Sequence, residues 1–249
     1  MRWAGDLKGA AAPTIKEYPV SEDCYIGQIM RWDVSAGGIV EPCAVAAAGP
    51  DTTSYIAGIV SGVITSPSYN ATYRGDKATY DASMANQLLN SPVGPARVKL
   101  DLVTPTTLIK APIVKDTIGT APATVAVTTA QAAGLVVTTT TTIDTSVSQY
   151  STVYCRSGAN KGQYRKVTTG ATTDQTVLLA FTYATVVGDV FVVANIVEGA
   201  ARIDLDSQFQ GIDSSDALTY YYSVYVHELN LETAGEEYAI FSFNPRHFA

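Results

Sequence analysis

Residues 25–33 have the sequence YIGQIMRWD, and the turn signal SAGG at residues 35–38 separates them from IVEPCAV at residues 39–45. β-Branched and aromatic residues dominate both runs, so together they predict a β-hairpin. The next apolar run, YIAGIVSGVIT at residues 55–65, contains glycines that permit the sharp bending needed in small barrels. The hairpin and this strand predict a small β-barrel.

Further elements follow from periodicity along the chain. Strands are predicted at residues 97–103, 220–228 and 237–243, where β-formers are dense. A period of two places Val224 and Val226 on one face of their strand and Tyr225 on the other. Residues 79–90 carry apolar positions on roughly one face and are followed by Pro92, which predicts the one helix.

The texture of the chain changes near residue 113. Residues 117–153 are Thr-rich and almost uncharged, which favours strand, and hairpin patterns follow. We interpret residues 113–197 as an inserted β-rich domain, residues 21–112 plus 198–249 as the base domain, and residues 1–20 as an extended arm. The predicted fold class is therefore all-β: a small β-barrel or sandwich base domain with an inserted second β-domain and an extended N-terminal arm.

Charge and cysteine usage exclude several functions. Only 16% of residues are charged, against about 25% in typical domains, and the net charge is −7. Residues 198–249 hold two basic and nine acidic groups, and no basic stripe exists, so we exclude nucleic acid as a partner. Cys24, Cys43 and Cys155 have no C-x-x-C spacing, which predicts buried, reduced thiols and cytosolic synthesis. No signal peptide and no membrane span are predicted.

No motif for catalysis or cofactor binding stands out. His227 and His247 are the only candidate general bases, and neither lies near a G-x-S-x-G elbow. The sequence GANKG at residues 158–162 continues into a strand pattern, so a hairpin turn is predicted there instead of a phosphate loop. Four acidic residues match no calcium-loop spacing: Asp204, Asp206, Asp213 and Asp216. We predict no enzyme, no cofactor and no metal, and keep a hydrolase hidden in a β-sandwich as an alternative.

Residues 24–64 resemble the small β-barrel of tailed-bacteriophage head decoration (capsid cement) proteins. The shared pattern is a strand entering through a glycine, a short hairpin, VEP at residues 40–42, an Ala-rich loop and IAGI at residues 56–59. GQ at residues 27–28 stands where many relatives have Gly-Asp. A second motif, G-x-x-x-G-Q-x-R-x-V from residue 158 with Phe181 and later G-D-x-F from residue 188, is similar to β-domains in phage virion proteins.

This resemblance implies a structural virion protein on the outer surface of a phage capsid. Such a protein would stabilise the shell by bridging subunits of the major capsid protein, would form a homotrimer and would be synthesised in the host cytoplasm. Apolar side chains on irregular termini need a partner, so we predict five capsid-contact residues: Trp3, Leu7, Ile15, Tyr18 and Phe248. Deleting residues 1–18 is expected to abolish capsid binding without unfolding the chain, and the chain is expected to fold without residues 113–197.

An alternative interpretation is a receptor- or carbohydrate-binding virion module. In that case Tyr164 and Tyr183 of the insert would be the aromatic stacking residues.

Overall fold

The computed structural model describes residues 1–9, 11–20, 24–33, 38–43, 56–64, 77–78, 97–114, 121–139, 151–170, 173–201, 204–205, 212–213 and 224–248. These residues form β-strands and a 3₁₀-helix at Pro245–His247, with no α-helix among them, so the all-β class is confirmed. The predicted helix at residues 79–90 lies outside the described residues.

The chain divides into two compact units. Unit 1 comprises Met1–Ala111, Ser207–Gln210 and Phe241–Ala249, and unit 2 comprises Pro112–Asp206 and Gly211–Ile240. The first nine strands are β1 Arg2–Asp6, β2 Ile15–Pro19, β3 Cys24–Tyr25, β4 Ile29–Asp33, β5 Ile39–Pro42, β6 Ile56–Ile64, β7 Lys77–Ala78, β8 Arg97–Leu102 and β9 Thr107–Val114. The others are β10 Ala123–Thr129, β11 Val136–Thr139, β12 Thr152–Cys155, β13 Tyr164–Gly170, β14 Asp174–Val177, β15 Val190–Ala194, β16 Gly199–Ala201, β17 Asp204–Leu205, β18 Ile212–Asp213, β19 Val224–Asn230 and β20 Tyr238–Phe243.

Unit 1 is built on a five-stranded antiparallel sheet with the order β2-β8-β6-β4-β5. A parallel bridge between Val20 and Val40 brings its two edges together at one point, so the sheet curls around a core that includes Met30, Val60 and Leu100. The predicted hairpin is confirmed as the β4–β5 pair, although β4 begins at Ile29. Alternate residues of β8 are buried, as the period of two indicates.

The predicted arm contains two strands that pair within the chain. β1 pairs with β9, and β2 pairs with β8 along its whole length. Tyr18 packs against the core of unit 1 and meets Trp32 edge-on, with ring centroids 4.8 Å apart. Deleting residues 1–18 would therefore remove two paired strands and a core contact, so point substitutions test the arm more cleanly than deletion.

Unit 2 contains a closed six-stranded antiparallel barrel with the order β10-β11-β14-β13-β12-β15. All six strands fall inside the predicted insert, and the barrel is filled by valines together with Cys155, Phe181 and Phe191. Because the barrel is closed, none of its six strands has an unpaired edge. An unpaired edge would offer a template for pairing with the strands of another chain. A further sheet has the order β16-β19-β20-β9-β18-β17. In β19, Val224 and Val226 are buried and Tyr225 is exposed, as predicted.

The two compact units and the predicted domains divide the chain at different residues. The predicted base domain included residues 198–249, whereas residues 211–240 group with the barrel. β9 and β20 each begin in one unit and end in the other. The predicted boundaries concern which segments fold independently, and they stay a prediction.

Candidate functional site

Three loops meet at one end of the barrel, and we call them together the barrel tip. They are residues 130–135, 156–163 and 178–189, which connect β10 to β11, β12 to β13 and β14 to β15. The strand pairing places them at the same end: Val136 of β11 lies opposite Thr176 of β14, and Tyr154 lies opposite Tyr164. The barrel tip is therefore assembled from segments far apart in sequence.

Hydrogen bonds join the loops of the barrel tip to one another. The Asn160 side chain is fully buried; its Nδ2 donates to the carbonyl of Tyr183 (3.0 Å), and its Oδ1 accepts from the Tyr183 amide (2.9 Å). Gln163 Oε1 accepts from the Thr182 amide (3.1 Å), and Gln131 and Thr185 exchange backbone hydrogen bonds. A buried amide whose partners are all protein groups fixes its surroundings, so the barrel tip is rigid.

Arg165 closes this network beside the barrel core. Its Nε donates to the carbonyl of Ala180 (3.0 Å), and its Nη2 donates to Gln163 Oε1 (2.6 Å). The guanidinium carbon lies 5.1 Å from the ring centroid of Phe181, within cation–π range. Gly158, with φ +75°, lies directly against the carboxylate of Asp189. The motif that begins at Gly158 therefore supplies polar side chains to the interior of the barrel tip, namely those of Gln163, Arg165 and Asp189.

Apolar side chains cover the outside of this polar network. Of the large apolar side chains exposed in the described residues, most belong to the barrel tip, where they are 42% to 68% exposed: Leu135, Leu178, Leu179, Tyr183, Val186 and Val187. Single exposed apolar residues are ordinary on protein surfaces, whereas a concentration of them indicates a binding surface.

Sequence analysis missed most of this surface. Residues 176–181, TVLLAF, have the composition of a strand, but β14 ends at Val177, and Leu178 and Leu179 are exposed. The sequence did contain a signal for this loop. Neighbouring residues of a strand face opposite sides, so Val177, Leu178 and Leu179 cannot all face the core. A run of that kind at a strand end indicates an apolar loop.

The predicted capsid-contact residues lie in unit 1. Leu7 and Ile15 are each 56% exposed, whereas Trp3 and Tyr18 are half-buried in β1 and β2. Leu7 is held in place because its amide donates to the carbonyl of Thr106 (2.9 Å). Leu7 and Ile15 are thus the accessible members of the predicted set on the N-terminal segment.

The fifth predicted residue, Phe248, lines an open groove of about 470 Å³ in unit 1. The other residues of the groove are mostly apolar: Trp32, Ile56, Ala57, Leu102, Val103 and Thr104. Sequence analysis selected Phe248 but not the groove, because Trp32 and Leu102 come from strands distant in sequence.

The two predicted stacking tyrosines differ in accessibility. Tyr183 is 58% exposed on the barrel tip. Tyr164 packs on Tyr154 with ring centroids 4.4 Å apart, and its hydroxyl accepts a hydrogen bond from the Leu231 amide (3.1 Å). Burial raises the pKa of the Tyr164 hydroxyl. Tyr164 is half-buried and packs within unit 2, whereas Tyr183 is the more accessible of the two rings.

The two candidate general bases, His227 and His247, each lie beside an aromatic ring. His227 is exposed on β19 beside Tyr225, and His247 is buried beside the ring of Phe243. Within the described ranges, no three His, Cys, Asp or Glu side chains gather where they could hold a metal ion. All three cysteines fall in these ranges, are buried and form no disulfide.

Among the residues that the structure describes, no helix is long and apolar enough to cross a bilayer.

Comparison with known proteins gives no match: no family model, no curated protein and no solved structure matches this chain.

Proposed function

We propose that this chain is a structural virion protein that binds the outer surface of a phage capsid and stabilises the shell by bridging major capsid subunits. In this proposal it acts as a homotrimer without catalysis, it is made in the host cytoplasm, and it functions on the virion surface. The proposal builds on the resemblance between residues 24–64 and phage decoration proteins.

One observation carries the proposal: unit 1 exposes large apolar side chains from positions that its own backbone holds in place. Leu7 is fixed by its hydrogen bond to Thr106, and Ile15 begins a strand paired with β8. Both side chains are more than half exposed. Holding an apolar contact in its bound position before association lowers the ordering cost of binding. Such residues suit a protein whose function is to add buried area across subunit boundaries, where a standard interface buries about 1,600 Å².

The groove that Phe248 lines is a second accessible apolar surface in unit 1. Trp32 and Leu102 contribute apolar lining, and aromatic anchors in shallow pockets dominate many protein interfaces. We therefore assign Leu7, Ile15 and Phe248 as the principal capsid contacts, and the half-buried Trp3 and Tyr18 as minor ones.

Co-sedimentation with mature, undecorated capsids tests this assignment through Leu7→Asp and Ile15→Asp. Losing one buried Leu or Ile from an interface costs about 1.5–3 kcal/mol, so each variant is expected to bind about 10- to 100-fold more weakly. Ala12→Asp adds the same charge at an exposed small residue of the same segment and serves as the control. Unchanged binding by both variants would remove these residues from the interface.

A carbohydrate- or receptor-binding virion module is the second candidate, and the exposed ring of Tyr183 favours it. A glycan array tests it, with Tyr183→Ala as the matched variant. Binding that depends on Tyr183 would support this candidate over the capsid role.

A further inference from the structure

The barrel tip presents an apolar surface that the proposed capsid contacts in unit 1 do not use. Its six exposed side chains together offer on the order of 600 Å², the upper end of the largest patches on typical monomers. The loops beneath are fixed by the buried side chain of Asn160 and by Gln163. The surface is therefore preorganised, and binding does not have to order it.

Charge is nearly absent from this surface. In the three loops, Arg156 is paired with Glu237, the carboxylate of Asp189 is buried, and Lys161 is the remaining charged group. The guanidinium of Arg165 in β13 also reaches these loops, where it donates to the carbonyl of Ala180 and to Gln163. Anionic lipid surfaces are recognised by clusters of about four to eight basic residues, and Lys161 with Arg165 does not form such a cluster. The aliphatic side chains also lack the convergent polar groups that a sugar needs. The chemistry of the barrel tip fits an apolar protein surface.

A second copy of this chain offers such an apolar protein surface, namely its own barrel tip. The chain's net charge of −7 lies within residues 198–249, outside the three loops of the barrel tip. Contact between two barrel tips therefore brings together loops that carry little charge and matches apolar surface with apolar surface. Complete burial of two such patches would remove at most about 1,200 Å² from solvent, which reaches the lower bound of specific interfaces. We propose that copies of this chain associate through the barrel tip.

The barrel tip would be the face through which copies of the chain join in the proposed homo-oligomer. Only the expected number of copies rests on the proposed function. Its test uses the purified full chain without capsids. Failure of self-association would therefore leave capsid binding untested, and failure of capsid binding would leave self-association intact.

Sedimentation velocity over a wide concentration range measures the association of the wild type, Leu179→Asp and Val187→Asp. The expected result is a concentration-dependent oligomer for the wild type and a dissociation constant at least tenfold higher for each variant. Thr168→Asp adds the same charge at an exposed position of β13, and it should associate like the wild type. A wild type that stays monomeric at the highest concentration overturns the proposal, as does unchanged association of both variants.

Cross-linking gives an answer that does not depend on how the Asp variants fold. The native cysteines are buried, so a bifunctional maleimide should react mainly with a cysteine introduced at the surface. Val187→Cys is expected to give cross-linked dimers, and Thr168→Cys is expected to give few. Equal yields from the two variants would contradict contact through the barrel tip.

Discussion

The guanidinium of Arg156 forms an ion pair with the carboxylate of Glu237, 81 residues further along the chain. The side chains are 10% and 1% exposed. Arg156 follows β12 of the barrel, and Glu237 precedes β20. Arg156 Nε also donates to the carbonyl of Leu231 (2.9 Å). Within unit 2, this contact ties the connection between β19 and β20 to the barrel.

Breaking this ion pair is expected to destabilise the protein strongly. Arg156→Met keeps most of the side-chain length but leaves the carboxylate of Glu237 buried without its partner. Loss of one member of a buried pair costs about 3–5 kcal/mol. Urea unfolding of the variant should show a free energy of unfolding lower by that amount.

The double variant Arg156→Met with Glu237→Met removes both charges and should recover most of the lost stability, because no unpaired charge remains. Lys166→Met, at an exposed position of β13, is the control and should change the free energy of unfolding by less than about 0.5 kcal/mol. Equal stability of Arg156→Met and Lys166→Met would mean that the contact contributes nothing.

Gly158 is expected to tolerate no side chain. Its φ of +75° is unfavourable for an L-residue, and a Cβ there would overlap the carboxylate of Asp189. The left-handed conformation alone costs about 1–2 kcal/mol for alanine, and displacing a buried carboxylate adds to this cost. Gly158→Ala should lower the melting temperature by clearly more than a surface substitution does.

Gly162→Ala separates the two contributions. Gly162 also has a positive φ, +89°, but no other group lies within 4 Å of the position that a Cβ would take. It should therefore show the cost of the backbone conformation alone. If Gly158→Ala and Gly162→Ala had the same melting temperature, the overlap with Asp189 would contribute nothing to the loss of stability.

Stability should fall in alkaline solution because of Cys155. Burial, as the main cause, raises the pKa of its thiol from 9.0 to about 11. Between those values the unfolded chain loses the thiol proton while the folded chain keeps it, so ionisation favours the unfolded state. The free energy of unfolding should thus decrease from about pH 9 to about pH 11.

Cys155→Ala isolates this contribution, because every other titrating group is retained. Denaturation curves measured at several pH values should show a shallower alkaline decline for the variant than for the wild type. Parallel declines in the two proteins would assign the alkaline loss to other groups.

Local patterns in the sequence predicted β4, β5 and β8. The alternation at residues 97–103 gave β8 with Val98 and Leu100 buried, and the hairpin at residues 29–42 followed from β-formers around a Gly-rich turn. These features depend on neighbours in sequence, so a single chain reveals them. The motif that begins at Gly158 came instead from the resemblance to β-domains in phage virion proteins.

The barrel tip could not be predicted in the same way. Its loops meet because the barrel order is β10-β11-β14-β13-β12-β15, and that order places Gly158 against Asp189 and Asn160 against Tyr183. Long-range pairing is not encoded in any single segment. Sequence analysis therefore found the motif residues without showing that they support an exposed apolar surface.

The proposed capsid role is tested most directly by co-sedimentation of the purified chain with mature, undecorated capsids from its own source, followed by thermal challenge of the bound shells. Saturable binding that raises the temperature at which the shells break is the predicted result. No binding by the folded, intact chain would contradict the capsid role.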